Sequence, residues 1–231
     1  MDDKEESYYQ YLLTSEIGED RARAHREIVA EYFWKIFRGY GCRDVLDVGC
    51  GLGSFIGKAG PGVNAIGIDS NRRVVEHCRK AGLNALFGDA TKLPFDDSIR
   101  IDGIICSHVL EHLLDPEKAF REFGRVLKGG GVLVVRVPLF DASFYDDWTH
   151  IRPFTKKTLH RLAVATGFKT KRIFYYHYDL PFRLWNNLFF RALNRVRHMS
   201  GIEAIIDSLI RASGLPASEL VLVAMKINEV D

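Results

Sequence analysis

Three stretches of the sequence gather residues able to do chemistry. The first is Val45-Leu46-Asp47-Val48-Gly49-Cys50-Gly51-Leu52-Gly53-Ser54-Phe55, an apolar run that gives way to three glycines in five positions. Glycine permits positive φ and lets main chain approach a ligand closely, so this turn suits a bound small molecule as well as a tight structural loop. A dinucleotide loop prefers GxGxxG, with the last glycine for close helix–strand packing. Here that place is Ser54. The second group is a pair of acids. Asp69 in AIGIDSN lies 20 positions after Gly49, where a carboxylate can accept both hydroxyls of a ribose. Asp89 in LFGDATKLPF could accept the exocyclic amine of an adenine. Each acid alone also reads as a turn residue at a strand end; together with the glycines they describe an adenosine cradle.

The third group is histidine-rich. In SHVLEHLLDP, His108 and His112 are four apart and would share one face if the turn is helical. His108 is the better candidate base, and His112 beside Glu111 reads equally as a hydrogen-bonded structural group. No third ligand is evident near the pair, so no metal is expected. The loop YDDWTHIRPFT carries Trp148, His150 and Arg152. A His and an Arg in a loop over a site suit an anionic or hydroxylated acceptor, or pair locally while Pro153 shapes the next helix.

These residues need a scaffold, and the periodicity supplies one. Apolar Ile28, Val29, Tyr32, Phe33 and Ile36 predict a helix over Arg21–Phe37. Strands are predicted at Val45–Val48, Val63–Ile68, Asn84–Phe87, Ile101–Cys106 and Val132–Val137. A short helix follows the glycines, and Asn71 caps a helix running to Gly82. Asp115 caps another with Pro116 at its first position, ended by Gly129. Thr155 caps a helix to Gly167, then strands follow at Phe168–Tyr178 and Leu220–Ile227. Alternation of this kind means βαβ units around a parallel sheet, with ligands outside the carboxyl ends of the strands.

Composition narrows the classes. The chain has 231 residues, 47% of them hydrophobic, which supports one domain over 21–231 with a partly ordered tail at 1–20. A net charge of +2 neither argues for nucleic acid nor against it. The four cysteines form no CxxC pair, which fits reduced thiols. MDDKEES is unlike a signal peptide and no apolar run approaches the ~20 residues of a span, so a cytoplasmic protein is expected. A helical insertion is predicted at about 182–212. Its basic part, 182–199, holds Arg183, Arg191, Arg195 and Arg197 beside an apolar stripe. That stripe reads as a packing or homodimer surface, or as a lid or peripheral membrane contact.

Taken in order, VLDVGCGLGSF, GIDSN, GDATKLPFDD and ICSHVLEHLLDPEKAFREFGRVLKGGGVLVVRVP resemble the motifs of the class I S-adenosylmethionine-dependent methyltransferases, in the broad group of small-molecule and quinone enzymes. The resemblance covers residues 43–138. It implies a Rossmann-like, doubly wound α/β fold with a mostly parallel seven-stranded sheet whose last strand is antiparallel. It also implies S-adenosylmethionine as cofactor. Asp47 with the main chain of Gly49, Gly51 and Gly53 would hold the methionine end. Asp69 and Ser70 would take the ribose, Asp89 and Ala90 the adenine. Ser107 and His108 would line the wall toward the substrate. Methyl transfer is an in-line displacement, so alignment and exclusion of water matter most, and a base such as His108 or His150 is needed only for some acceptors. His112, Trp148 and Arg152 are the expected substrate contacts. The expected acceptor is a small molecule or one linked to a lipid or glycan. Nucleic acid is disfavoured, because no Asn-Pro-Pro-Tyr or Pro-Cys follows the fourth strand. Two alternatives stay open: a cofactor-sensing regulatory module, and a nicotinamide-dependent oxidoreductase.

Overall fold

Short runs of branched apolar residues build the sheet. β1 (Asp44–Val48), β2 (Asn64–Asp69), β3 (Ala85–Phe87), β4 (Ile101–Ser107) and β5 (Leu127–Pro138) run parallel to one another. β6 (Phe168–Tyr176) and β7 (Glu219–Lys226) complete it, with β7 antiparallel to both β5 and β6. The order is β3-β2-β1-β4-β5-β7-β6. This is the expected mostly parallel, Rossmann-like arrangement, seen here in a computed structural model. The structure describes residues 3–14, 19–141, 143–176 and 219–228.

Parallel strands need cover on both faces. On one face, α2 (Glu19–Gly39) lays Phe33, Trp34 and Phe37 over Val45, Ile105, Val134 and Val223. The Trp34 indole stacks on Phe55 with centroids 4.4 Å apart and donates its Nε1–H to the Phe55 carbonyl at 2.7 Å. That pair anchors the far end of the glycine loop to α2. On the other face, α4 (Pro116–Val126) and α5 (Lys156–Ala165) bury Phe120, Phe123, Leu159 and Ala163 against Leu46, Ile104 and Leu133.

The helix starts follow capping chemistry. Asn71 Oδ1 accepts the amides of Arg73 and Val74 at the head of α3 (Arg72–Lys80). Asp115 accepts the Lys118 amide, with Pro116 in the first turn of α4. Thr155 and Thr158 cap α5 reciprocally.

Three local expectations are corrected. The glycine loop leads into a single 3-10 turn, Ile56–Lys58, instead of a helix. α4 ends at Val126, before Gly129, because Leu127 already pairs with Ile101 in the sheet. The supposed tail contains a helix, α1 (Asp3–Thr14), held against α3 by Tyr9 on His77 at 3.1 Å and Glu6 on Arg73 at 3.1 Å. Tertiary contact supplies what its weak apolar pattern does not. The insertion expected at 182–212, with its basic stretch 182–199, lies outside the described residues. No described helix is long and apolar enough to cross a membrane.

Candidate active site

The carboxyl ends of β1 to β5 open onto a cavity of about 740 Å³, within the size range of small-ligand sites. Its floor is the glycine loop. The amides of Gly49 and Cys50 both donate to the Ile68 carbonyl, at 2.8 and 3.0 Å, which ties the loop to the tip of β2. Gly51 sits at φ +50°, and a Cβ there would meet no protein atom within 4 Å. The open space beside Gly51 is therefore available to a ligand.

Asp69 organises that floor. One of its oxygens accepts the Gly51 amide at 3.1 Å and the other the Asn71 amide at 2.9 Å. Burial raises its carboxyl above the usual range, against the pull of those two amides. Asp47 stands beside it at the tip of β1, 4% exposed. Burial first, and the Asp69 charge second, push Asp47 up to about 7, while Arg136 acts in the opposite sense. At the tip of β3, Asp89 turns its own loop by accepting the Thr91 amide and hydroxyl at 2.7 and 2.8 Å. It lines the cavity together with Ala90.

α1 forms a roof. Glu5, Tyr8 and Leu12 line the cavity from above. The roof is latched by the residue that caps α3: Asn71 Nδ2 donates to the Glu5 carbonyl at 2.8 Å. Asn71→Ser keeps an N-cap oxygen and loses only the latch. One net hydrogen bond amounts to about 0.5–1.5 kcal/mol. Stopped-flow release of bound ligand should accelerate by roughly two- to tenfold, with the thermal melt little changed; an unaltered release rate would show that α1 is not latched there.

The opposite wall is charged. His108 adopts φ 53°, a conformation uncommon outside glycine. This turns its ring between two acids: Nε2 lies 2.8 Å from Glu219 and Nδ1 lies 3.4 Å from Glu111. Glu219, 2% exposed, also takes a two-pronged contact from Arg136, with Nη2 at 2.6 Å and Nε at 3.0 Å. Burial opposes ionisation of Glu219, but the Arg136 and His108 charges outweigh it and hold the carboxyl at about 2. Burial likewise opposes charging of His108, yet the Glu219 charge, the hydrogen bond to it and the nearby Glu111 carboxylate lift it to about 9. A charged histidine donates in hydrogen bonds, so His108 can serve as the expected base only once that proton has left the ring.

His108 and His112 do not share a helical face. Positive φ at His108 diverts the chain, and His112 closes a 3-10 turn, Leu110–His112. His112 instead meets the loop after β5, with its ring 4.8 Å from that of His150. The loop is stitched down by the Ile151 and Arg152 amides, which both donate to the Glu111 carbonyl, and by Arg152 Nη2 on the Leu114 carbonyl. Arg152 Nη2 thus fastens the loop, while its Nε is buried with no hydrogen-bond partner.

Of the residues singled out in the sequence, Asp47, Gly49, Gly51, Asp69, Ser70, Asp89, Ala90, Ser107, His108 and His112 line the cavity. Gly53, Trp148, His150 and Arg152 are not part of that lining. Gly53 serves packing: at φ +78° an added Cβ would sit 2.5 Å from Leu83 and 3.1 Å from the Cys78 sulfur. Trp148 is 81% exposed. The charged wall was missed. Its signals were a lone Arg136 inside VLVVRVP and a Glu219 opening the apolar run LVLVA.

A glycine floor, acids at the tips of β1, β2 and β3, and a cavity above a mostly parallel sheet define the class: a Rossmann-like domain built to bind a nucleoside cofactor. The comparisons with known proteins narrow it. Residues 46–135 match the family model described as a methyltransferase domain, and this stretch is similar to the S-adenosylmethionine-dependent methyltransferases. It is 31% identical over 188 residues to an uncharacterised transposon protein of Streptomyces fradiae, covering 71% of this chain and 52% of that one. It is 33% identical over 134 residues to a probable S-adenosylmethionine-dependent methyltransferase of Mycobacterium tuberculosis, covering 54% and 48%. The chain thus spans about half the length of these relatives. A methyltransferase crystal structure from Archaeoglobus fulgidus superposes with a TM-score of 0.63 at 24% identity, covering 87% of this chain and 94% of that one.

Proposed function

We propose that the chain transfers the methyl group of S-adenosylmethionine to a small-molecule acceptor, free or carried on a lipid or glycan. The observation that carries this reading is the row of acids Asp47, Asp69 and Asp89 on neighbouring strand tips around one glycine floor. Asp69 and Ser70 take the ribose. Asp89 and the Ala90 main chain take the adenine. Asp47, Gly49 and Gly51 hold the methionine end. The sulfonium methyl then faces the wall of Ser107, His108 and His112. A sulfonium is already a good leaving group, so these side chains work by aligning the acceptor and excluding water. His108 and Arg136 line the cavity together with Glu219, which pairs with both, so this wall offers hydrogen-bonding groups and not free positive charge.

Calorimetry with S-adenosylhomocysteine, followed by transfer of labelled methyl from S-adenosylmethionine into a metabolite extract, tests the reading. Heat with the nucleoside and label in a small molecule are expected. No heat with either cofactor form, or heat only with a nicotinamide dinucleotide, would defeat it.

A pH dependence follows from Asp47. Its folded value near 7 exceeds the usual ~3.9 of an unfolded chain. The empty protein therefore loses stability as pH rises between those values. A cofactor ammonium favours the ionised carboxylate, so cofactor binding should tighten as pH rises toward about 7 and then level off. Calorimetry across pH in wild type and Asp47→Asn checks this, since the variant should lose the slope.

A further inference from the structure

Beside the acceptor wall, three groups face one another with lone pairs and no proton between them. Glu111 is fully buried and neither of its side-chain oxygens accepts a hydrogen bond; its nearest charge is His108 Nδ1 at 3.4 Å. The tautomers of His112 and His150 can be derived from their partners. His150 Nδ1 lies 2.6 Å from the Phe144 carbonyl, which can only accept, so Nδ1 carries the proton. Thr149 Oγ1 donates its hydrogen to Asp147 at 2.5 Å, so at 2.9 Å from His112 Nδ1 it accepts. His112 Nδ1 is then protonated too. In both rings Nε2 is left with a free lone pair.

Glu111, His112 and His150 each offer a ligand atom within 4.8 Å of the others'. Two imidazoles fixed through Nδ1 by outer oxygens, and one carboxylate stripped of hydrogen bonds, are arranged as ligands of a cation are. The His108 charge at 3.4 Å offsets part of the cost of burying Glu111, but both carboxylate oxygens still accept no hydrogen bond. Asp147, 3.7 Å from His150 Nε2, adds negative charge at the rim.

We propose that Glu111, His112 and His150 bind a divalent transition-metal ion of the zinc type. Nitrogen donors favour zinc, iron or nickel over magnesium, and three protein ligands leave at least one coordination position open. His112 and Thr149 also line the cavity, so the ion borders the space assigned to the acceptor.

The test uses the full untagged chain stripped with chelator, dialysed against Zn²⁺ and assayed for bound metal. One equivalent is expected, with Mg²⁺ failing to compete. His150→Gln and His112→Gln should each weaken zinc binding by about 100-fold or more, and Thr149→Val, which releases His112, by roughly 10–100-fold. Unchanged melting in metal-free buffer establishes that the variants fold. Co²⁺ in the wild-type chain gives an independent readout through visible d–d absorption, lost in His150→Gln. Substoichiometric zinc, absence of the cobalt bands, or equal zinc affinity in folded His150→Gln overturns the assignment. No methyl donor enters the assay, so the result stands apart from that of the proposed reaction.

Discussion

Replacing Asp69 with alanine should weaken S-adenosylhomocysteine binding by on the order of 1–3 kcal/mol, about 5- to 150-fold. Two losses combine. The Gly51 and Asn71 amides each lose their carboxylate acceptor, so the floor and the head of α3 are no longer held in register. The ribose hydroxyls lose the acceptor assigned to them. The empty variant should not suffer in proportion, because the buried carboxylate carries a desolvation penalty that alanine removes. Affinity should therefore fall much further than the melting temperature. Calorimetry and thermal melting on one preparation check both halves, and undiminished affinity would remove Asp69 from the ribose site.

Glu219→Leu should cost about 3–5 kcal/mol of stability, the usual penalty for stripping the partner from a buried ion. Arg136 is held on one side by Glu219 and on the other by the Phe33 ring, 4.6 Å from its guanidinium carbon. Without the carboxylate, Arg136 is left with the Ser107 hydroxyl at 3.4 Å and His108 with Glu111 at 3.4 Å. The pair itself need not be stabilising relative to a hydrophobic replacement. The double variant Arg136→Leu/Glu219→Leu should accordingly recover most of the loss. Urea unfolding of wild type, single and double variants measures the coupling. A double variant as weak as the single one would mean that packing, and not the unpaired charge, sets the penalty.

What could be read ahead of the structure was what is decided locally. Asn71, Asp115 with Pro116, and Thr155 announce their helices because capping is a contact between neighbours in sequence. The apolar runs of β1, β4 and β5 are legible because strands buried on both faces tolerate little else. The acids of the expected cradle could be placed because they sit at strand ends. What was not legible joins distant residues. His112 meets His150 across 38 positions, and His108 meets Glu219 across 111. No spacing rule reaches that far. Arg152 looked like a substrate contact because its type suits one, but its guanidinium and amide fasten the loop and leave Trp148 outside. α1 stayed hidden because its stability resides in α3.

The reversed direction of β7 has an evolutionary corollary. β6 finishes at Tyr176 and β7 begins at Glu219, and these two residues are register partners. The chain therefore departs from the sheet and returns to it on the side where the acids gather. Changes at Glu219, where the chain re-enters, bear on the proposed acceptor wall, while the proposed nucleoside grip between Asp47 and Ala90 lies on other strands. New specificity can be tried in one part of the gene without renegotiating the other.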